Sequence, residues 1–587
     1  MHNEEYTGPS MPLSIEIDEM KYRQQDESFD GKIKRIAGTL CDGPEHQYAL
    51  EEVLGEMRFL PAGRVQSAIG SARITTAYNC FVSGLVEDSM DSIMGRAHEA
   101  AETMRRGGGI GYDFSRIRPR GDTIKSLDSQ SSGPISFMGI YDAVCQTIAS
   151  SGHRRGAQMG SLRVDHPDIR EFIRAKRNSD RLTGFNVSVG VTDKFMDALK
   201  TESGEFDLVF DDKVYETINA HELWDEIMES TWDWAEPGVL FIDRINEMNN
   251  LYYCETIETT NPCGEQPLPP HGACLLGSFN LTKYLKDSTI HGHHKVAYFD
   301  FKQFKKDIPV VVRAMDNVID RTIYPLKEQE DEARDKRRMG LGITGLANTG
   351  EILGYSYGSP EFMQWTEKVL ACLRDNTYRA SAELAAEKGP FPLFRQEYLK
   401  SNFVRTLPAS VKKEIRKHGI RNSHLTSIAP TGTISLVADN VSSGIEPVFS
   451  HSYERTIQTF NGPRVEEVKD YAYARGVKGR PADSLSVGEH LDVLSLVSHY
   501  VDSAVSTTCN VGDDVTYDEF KKIYEDAWEA GCKGITTFRA AGERYGILKT
   551  VEEKEEIAET AEGAAEEGRE EATACFIDPL TGQRECS

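Results

Sequence analysis

The sequence predicts an α/β protein, because short apolar runs typical of buried strands alternate with amphipathic stretches of helical length. Residues 184–191 alternate in the manner of a strand, and the apolar run Val239–Ile242 is typical of a buried strand. Alternation of this kind continues from about Arg58 to Tyr545. We therefore expect helices packed against sheets over most of the chain.

Two of the helices have clear boundaries in the sequence. Residues 88–106 predict a helix that Asp88 or Ser89 caps, and residues 361–388 predict another that stops at Gly389-Pro390. In the first helix, one apolar stripe is expected to face the core: Met90, Ile93, Met94, Ala97 and Met104.

Composition limits the class of protein. The 587 residues include no apolar run of membrane-spanning length and no signal-peptide pattern, so we expect a soluble, cytoplasmic protein. A formal charge of −26, from 67 basic and 93 acidic residues, opposes direct nucleic-acid binding. Eleven cysteines without secretory features indicate reduced thiols, some of them open to redox chemistry.

Three segments differ in character. Residues 1–57 predict a helical lead-in, residues 58–545 form the α/β region, and residues 546–587 are an acidic tail. The Glu/Ala-rich stretch 551–573 is typical of a solvated helix or a disordered linker. Two cysteines close to the end of this tail, Cys575 and Cys586, are not expected to be core residues.

The most informative motif is Asn261-Pro262-Cys263-Gly264-Glu265-Gln266, which is followed by Cys274. An amide, a thiol and a carboxylate occupy alternate positions, which places them on one face of an extended segment. The Pro and Gly spacers favour a tight loop over a regular strand. Taken alone, a Cys-Gly-Glu sequence is more often structural than catalytic, because free cysteines are commonly buried as small apolar side chains.

Further motifs shift that balance. The loop resembles the active-site finger loop of ribonucleotide reductases, and matching motifs occur in the family's order at residues 77–82, 107–112, 429–435 and 442–447. The resemblance implies a ten-stranded α/β barrel of the kind shared by ribonucleotide reductases and glycyl-radical enzymes, with the finger loop inside it. It also implies that ribonucleoside di- or triphosphates are reduced to deoxyribonucleotides.

The same resemblance assigns roles around the ribose. Cys263 would form a transient thiyl radical that removes the 3′ hydrogen, Glu265 would act as general base on the 3′-OH, and Asn261 would hold the ribose hydroxyls. Cys80 and Cys274 would supply the reducing equivalents and end as a disulfide. The alternative for these two cysteines is a pair of unrelated buried thiols.

Cys575 and Cys586 would re-reduce that disulfide by thiol exchange and receive electrons from a thioredoxin or glutaredoxin-like protein. A flexible linker of about 40 residues reaches roughly 35 Å, which is enough to visit a buried site. Half a metal site or a tag-like end are the alternatives. We predict no metal site in the chain, because His291-Gly292-His293-His294 lacks carboxylate or thiol partners at ligand spacing.

Two nucleotide sites follow from the family's motifs. The substrate phosphates would bind a loop of small and hydroxyl residues, Thr431, Gly432, Thr433 and Ser435. A dNTP or ATP effector would bind a specificity site whose residues are Asp88, Ser89, Arg116, Arg154 and Arg155. A plain helix cap is the competing interpretation of Asp88 and Ser89. The activity-regulating ATP-cone is not recognisable, and a homodimer is left open.

The radical source has two candidates. Short segments such as Phe59–Arg64 and residues 111–115 resemble the sequences of the adenosylcobalamin-dependent class. Residues 534–539 lack the tyrosine pair that subunit-dependent enzymes carry. We therefore favour adenosylcobalamin. A separate metallosubunit, with a relay through Tyr545, is the alternative, since no cobalamin-binding insertion is evident. A glycyl-radical lyase and a catalytically inactive nucleotide-binding regulator are the rival functions.

Overall fold

The structure is a computed structural model, and it describes residues 6, 8–150, 154–177, 181–290, 294–459, 462–512, 514–539, 576–577 and 584–585. Its α-helices are α1 (Pro12–Tyr22), α2 (Phe29–Leu40), α3 (Pro44–Gly55), α4 (Gly63–Ala68), α5 (Met90–Arg105), α6 (Pro134–Thr147), α7 (Ile169–Arg174), α8 (Asp193–Ala198), α9 (Ala220–Trp234), α10 (Ile242–Glu247), α11 (Phe301–Arg321), α12 (Lys327–Lys336), α13 (Leu346–Ile352), α14 (Pro360–Lys388), α15 (Asn402–Arg405), α16 (Ala409–His418), α17 (Gly432–Val437), α18 (Val487–Tyr500) and α19 (Tyr517–Glu529).

The strands are β1 (Phe59–Pro61), β2 (Cys80–Val82), β3 (Gly109–Asp113), β4 (Thr123–Ile124), β5 (Ser129–Gln130), β6 (Ala149–Ser150), β7 (Arg154–Arg155), β8 (Gln158–Arg163), β9 (Phe185–Val191), β10 (Glu205–Phe210), β11 (Lys213–Asn219), β12 (Gly238–Phe241), β13 (Thr259–Thr260), β14 (Pro267–Leu268), β15 (Ala273–Cys274), β16 (Leu276–Asn280), β17 (Leu285–Ile290), β18 (His294–Phe299), β19 (Gly340–Thr344), β20 (Ser452–Thr459), β21 (Gly462–Lys469), β22 (Cys509–Val511), β23 (Gly534–Ile535), β24 (Thr537–Arg539), β25 (Phe576–Ile577) and β26 (Arg584–Glu585). Short 3₁₀ turns occupy Leu281–Tyr284, Gln396–Lys400, Tyr473–Arg475 and Ala482–Ser484.

The main sheet has seven strands in the order β15-β2-β3-β8-β9-β12-β23. The five inner strands run parallel, and β15 and β23 pair antiparallel at the two edges. A second, three-stranded sheet has the order β1-β16-β19. The α/β class is therefore confirmed, while the count of ten barrel strands stays a prediction.

Both predicted strands are present. Residues 184–191 correspond to β9, and Val239–Ile242 corresponds to β12, except that Ile242 already begins α10. Both are almost wholly buried, as strands inside a parallel sheet usually are.

The predicted helices are also present, with one error in the buried face. Helix α14 ends at Gly389, whose φ of +83° suits a glycine, and α5 is capped by Ser89. In α5, however, Met90 is 57% exposed and Met94 is 46% exposed, so the predicted stripe is wrong at these two positions. The buried stripe is centred on Ile93, Ala97, Ala100 and Met104. At about 100° per residue, Met94 lies a quarter turn from Ile93.

The N-terminal helices share a core with the second sheet. Side chains of α2 such as Ile33 and Ile36 belong to the same buried cluster as Phe279 of β16 and Val311 of α11. The backbone N–H groups of Ser10 and Met11 donate to Asp439, just beyond α17. The helical nature of the lead-in is thus seen in α1–α3, whereas its division from the rest at residue 57 stays a prediction. Among the described residues, no helix has both the length and the apolar character needed to cross a membrane.

Candidate active site

Residues 261–266 form a closed loop between β13 and β14, which pair antiparallel. The Asn261 N–H donates to the Gln266 carbonyl at 3.2 Å, and the Gln266 N–H donates to Asn261 Oδ1 at 2.9 Å. Gly264 turns the chain with a φ of +84° and donates its N–H to the Asn261 carbonyl at 3.0 Å. The loop predicted from the Pro and Gly spacers is therefore confirmed.

Two glycines of β3 let this loop lie directly on the main sheet. A Cβ added to Gly111 would lie 2.0 Å from the Thr260 carbonyl oxygen, so backbone fills the space of a side chain there. A Cβ on Gly109 would lie 3.2 Å from Cys80 Sγ and 3.2 Å from Pro262. The loop and Cys80 thus both pack directly against the backbone of β3, where a side chain would leave no room for them.

The predicted catalytic side chains are buried together. Cys263 is 2% exposed, Glu265 1% and Asn261 0%, and Cys263 packs against Ala157 at the start of β8. Within the described residues, Asn261 Nδ2 and Gln266 Oε1 are buried without a hydrogen-bond partner. Buried polar atoms are nearly always paired, so these two are available to a ligand.

The backbone carbonyl of Glu265 is fixed by two hydrogen bonds. It accepts a hydrogen bond from the Ala504 N–H at 2.9 Å and another from Ser427 Oγ at 2.9 Å. Both donors come from segments that follow distant helices, and sequence reasoning did not identify either of them. No local motif marks them, because each acts through a backbone carbonyl.

Cys80 and Cys274 face each other directly. They are partners in the antiparallel pairing of β2 with β15. Directly opposed residues have Cβ atoms about 4.5–5.5 Å apart, which is close to disulfide geometry. Both are reduced thiols in this structure, and both are buried. Tertiary structure thus brings together two cysteines that the sequence separates by most of two hundred residues.

The thiols have different electrostatic surroundings. Burial, with the adjacent Glu265 and Cys80, raises the pKa of Cys274 well above its usual value, so this thiol remains protonated. Its Sγ lies 4.0 Å from Glu265 Oε1. Cys263 differs from both in taking part in a disulfide, so any radical chemistry at Cys263 requires its prior reduction.

The predicted phosphate loop lies beside this pair. Ala429 packs in one small cluster with Cys80, Cys274 and Ala62. Two of the predicted hydroxyls have partners inside the protein. Thr431 Oγ1 accepts from the Gly444 N–H at 2.8 Å, and Ser435 Oγ donates to the Gly432 carbonyl at 3.0 Å. Thr431 and Ser435 are thus engaged within the protein, and binding of a phosphate by the four residues of this loop stays a prediction.

The predicted effector residues come together only in part. Asp88 accepts from Arg118 Nε at 2.6 Å, which joins the segment before α5 to the loop after β3. Arg116 lies in that loop, 2.7 Å from Glu258 and 3.4 Å from Glu87. Ser89 is used as the helix cap. Arg154 and Arg155 form β7, which pairs with β6, and the structure describes their backbone alone.

The tail is described at two short strands. β25 and β26 pair antiparallel, and β26 lies against α17. Cys575 and Cys586, which flank these strands in sequence, lie outside the described residues, as do Tyr545 and His291–His293.

Comparison with known proteins defines the family. Residues 78–538 match the family described as "Ribonucleotide reductase, barrel domain". The chain belongs to this family. A relative from Thermoplasma acidophilum, named vitamin B12-dependent ribonucleoside-diphosphate reductase, is 35% identical over 86% of this chain and 68% of its own length. A protein of the same name from Mycobacterium tuberculosis is 36% identical over 82% of this chain and 70% of its own length.

More distant members carry a different name. The large subunit of ribonucleoside-diphosphate reductase from variola virus is 26% identical over 69% of this chain and 57% of its own length. The matched family region of this chain spans Cys80, the finger loop, Cys274 and the phosphate loop. The site described above thus lies wholly inside the barrel domain of a ribonucleotide reductase.

Proposed function

We propose that this reductase converts ribonucleoside di- or triphosphates to 2′-deoxyribonucleotides by a thiyl-radical mechanism. The observation that supports this best is the convergence at β3. Cys80 and Cys274 are directly opposed in β2 and β15 beside it, and the loop of Asn261, Cys263 and Glu265 lies against them. A radical lyase needs no such pair of thiols, because its reaction consumes no external electrons.

The loop supplies the groups that act on the 3′ position. The Cys263 thiyl takes the 3′ hydrogen atom, which is feasible because S–H and activated sugar C–H bonds are close in strength. Glu265 accepts the 3′-OH proton, and the unpartnered Asn261 Nδ2 donates a hydrogen bond to a ribose hydroxyl. The burial of all three excludes water from the radical.

The opposed thiols supply the electrons. The 2′ C–O bond breaks and its oxygen leaves as water, a hydrogen replaces it on carbon, and Cys80 and Cys274 join as a disulfide. Two thiol hydrogens and two electrons balance this exchange. Cys274 is protonated by virtue of its raised pKa, so it can deliver a proton or a hydrogen atom. Cys263 then returns the hydrogen atom to C3′ and becomes a thiyl radical again, and Glu265 returns the proton to the 3′ oxygen.

The tail returns the disulfide to dithiol. Strand β26 lies against α17, the helix of the predicted phosphate loop, so the tail approaches the site from the substrate side. Cys575 and Cys586 would exchange with the Cys80–Cys274 disulfide and be reduced by a thioredoxin or glutaredoxin-like protein. We expect this cycle to operate in the cytoplasm.

Adenosylcobalamin is the radical source we propose, because the relatives above are named for dependence on vitamin B12. The chain agrees with this at one position. In place of a relay tyrosine, Phe538 lies in β24 opposite Asn510, and a phenyl ring is not readily oxidised. When bound, the cofactor would supply the radical that oxidises the Cys263 thiol to a thiyl. The chain itself contributes that thiol. A separate metallosubunit is then not needed.

The effector site is proposed near Arg116 and Asp88, which the structure brings within one region. A nucleotide phosphate there replaces Glu258 as the partner of Arg116. Arg154 and Arg155 precede Ala157, which contacts Cys263, so the β6–β7 segment is a short route from effector to substrate.

The testing experiment is an anaerobic incubation of the reduced chain with CDP or CTP, an effector and dithiothreitol, with and without adenosylcobalamin. We expect deoxycytidine product that depends on the cofactor and is lost in Cys263→Ser. Product formed only after addition of a metallosubunit would replace the cofactor assignment. Nucleotide binding without product under either condition would favour a regulator.

A further inference from the structure

Lys533 is a buried lysine outside the residues that act on the substrate. It lies immediately before β23 and is 6% exposed. Its ammonium donates to a run of backbone carbonyls: that of Asp502 at 2.7 Å, that of Val501 at 3.5 Å and that of Ser503. Burying an ammonium is costly unless its N–H groups are satisfied, and here three consecutive carbonyls satisfy them.

The same run of backbone leads directly to the finger loop. The Ala504 N–H, one residue further on, donates to the Glu265 carbonyl at 2.9 Å. Gln266 Nε2 donates to Ser503 Oγ at 3.2 Å. The segment 501–504 therefore contacts Lys533 through the carbonyls of residues 501–503. It contacts Glu265 through the Ala504 N–H and Gln266 through Ser503 Oγ.

The far side of this segment is fixed independently. The Asp502 carboxylate accepts hydrogen bonds from Tyr378 Oη at 2.6 Å, the Leu425 N–H at 2.7 Å and the Thr426 N–H at 3.0 Å. The backbone N–H groups of Asp502 and Ser503 also donate to Thr426, to its Oγ1 at 2.9 Å and to its carbonyl at 3.1 Å. These bonds leave the carbonyls of residues 501–503 to the Lys533 ammonium, which donates to all three. Burial lowers the pKa of Lys533 to about 8, so its ammonium form predominates at pH 7.

We infer that Lys533 is a positioning residue for the general base Glu265 and that it acts through the backbone of residues 501–504. The inference rests on the proposed function, since Glu265 is the base only in that reaction. Lys533 does not contact the substrate, and we expect its loss to displace Glu265. If Lys533 only stabilised β23, its loss would not displace Glu265.

The test compares Lys533→Met with Lys32→Met. Lys32 is a matched control, because it is equally buried but paired with Asp18 in the N-terminal helices. Misplacing a catalytic group by about 1 Å costs roughly 100-fold. We expect Lys533→Met to lower kcat by about 10- to 100-fold, with KM changed less, and Lys32→Met to leave both near wild type.

The decisive readout is the kinetic isotope effect with 3′-deuterated substrate. A misplaced Glu265 slows cleavage of the 3′ C–H bond, so the isotope effect should rise in Lys533→Met and return towards wild type in Lys533→Arg. Ser503→Ala should raise it too, because it removes the Gln266 bond without removing a buried charge. An unchanged isotope effect in both Lys533→Met and Ser503→Ala, with activity lost only in proportion to unfolded protein, would overturn the inference.

Hydrogen exchange separates this inference from the proposed function. In folded Lys533→Met, peptides covering residues 259–268 should exchange faster than in wild type, whether or not the enzyme turns over. If wild type makes no deoxynucleotide but this exchange still rises, the proposed reaction fails and the mechanical link remains. If exchange is unchanged, the link from Lys533 to the loop is absent.

Discussion

Replacing Gly111 with alanine tests how closely the finger loop depends on the sheet beneath it. The added Cβ would lie 2.0 Å from the Thr260 carbonyl oxygen, whereas real Cβ atoms essentially never approach closer than 3.0 Å. The backbone must therefore move by at least 1.0 Å, the difference between these two distances. Thr260 directly precedes Asn261, so the movement passes to the catalytic loop.

The expected cost is large for activity and moderate for stability. A displacement of about 1 Å at a catalytic group costs on the order of 100-fold in rate. Overpacking of a buried site typically costs about 1–3 kcal/mol of unfolding free energy. We therefore expect Gly111→Ala to fold with a lowered melting temperature and to lose about two orders of magnitude in kcat.

The assay is deoxynucleotide formation under substrate saturation, normalised to the folded fraction measured by circular dichroism. Gly190→Ala is the matched control, because Gly190 lies in β9 of the same sheet, two strands from β3, and its Cβ would meet atoms no closer than 3.8 Å. Gly190→Ala should keep nearly full activity. Wild-type kcat in folded Gly111→Ala would refute the argument that β3 positions the loop by direct backbone contact.

The remaining predictions use other parts of the molecule. Truncation after Leu548 should allow one turnover per site and abolish thioredoxin-driven cycling, as single-turnover and steady-state assays would show; unchanged steady-state rates would exclude the shuttle. Glu258→Gln should tighten dNTP effector binding about two- to fivefold in equilibrium dialysis, because a partly exposed ion pair of about 0.2–1 kcal/mol no longer competes for Arg116. Burial, and then Asp470, raises the pKa of Glu351 to about 8, so the folded state retains a proton that the unfolded state releases above pH 4.5. Wild type therefore loses unfolding free energy as pH rises to 8. Relative to wild type, the unfolding free energy of Glu351→Gln, measured by urea denaturation, should increase by on the order of 1 kcal/mol per pH unit from pH 5 to 8. A difference between the two proteins that does not change with pH would contradict this.

The part of the site that is formed by neighbouring residues could be predicted from the sequence. The spacing of Asn261, Cys263 and Glu265, with Pro and Gly between, predicts a loop, and the loop is present between β13 and β14. The facing of Cys80 and Cys274 was implied by the family resemblance and could not follow from their separation. It appears in the structure as strand pairing, a property of the whole sheet.

What the sequence left out are interactions made through backbone atoms. Lys533, Ser427 and Ala504 act on or through carbonyls, and no residue pattern signals which carbonyl a side chain will meet. The exposure of Met90 and Met94 was missed for a different reason. The apolar positions of α5 span a wider arc than the core covers, and the neighbouring elements decide which part of that arc is buried.

A buried radical site and an external reductant make opposite demands on one structure. The finger loop meets the first demand by resting on glycines of β3 with almost no exposed surface, which shields Cys263 from water. The opposed cysteines are buried as deeply, so we propose that a thiol from outside reaches them by the substrate's route. β26 contacts α17, and we propose that the tail uses that route. Substrate and tail would then compete for one entrance, and re-reduction would have to wait for product to leave.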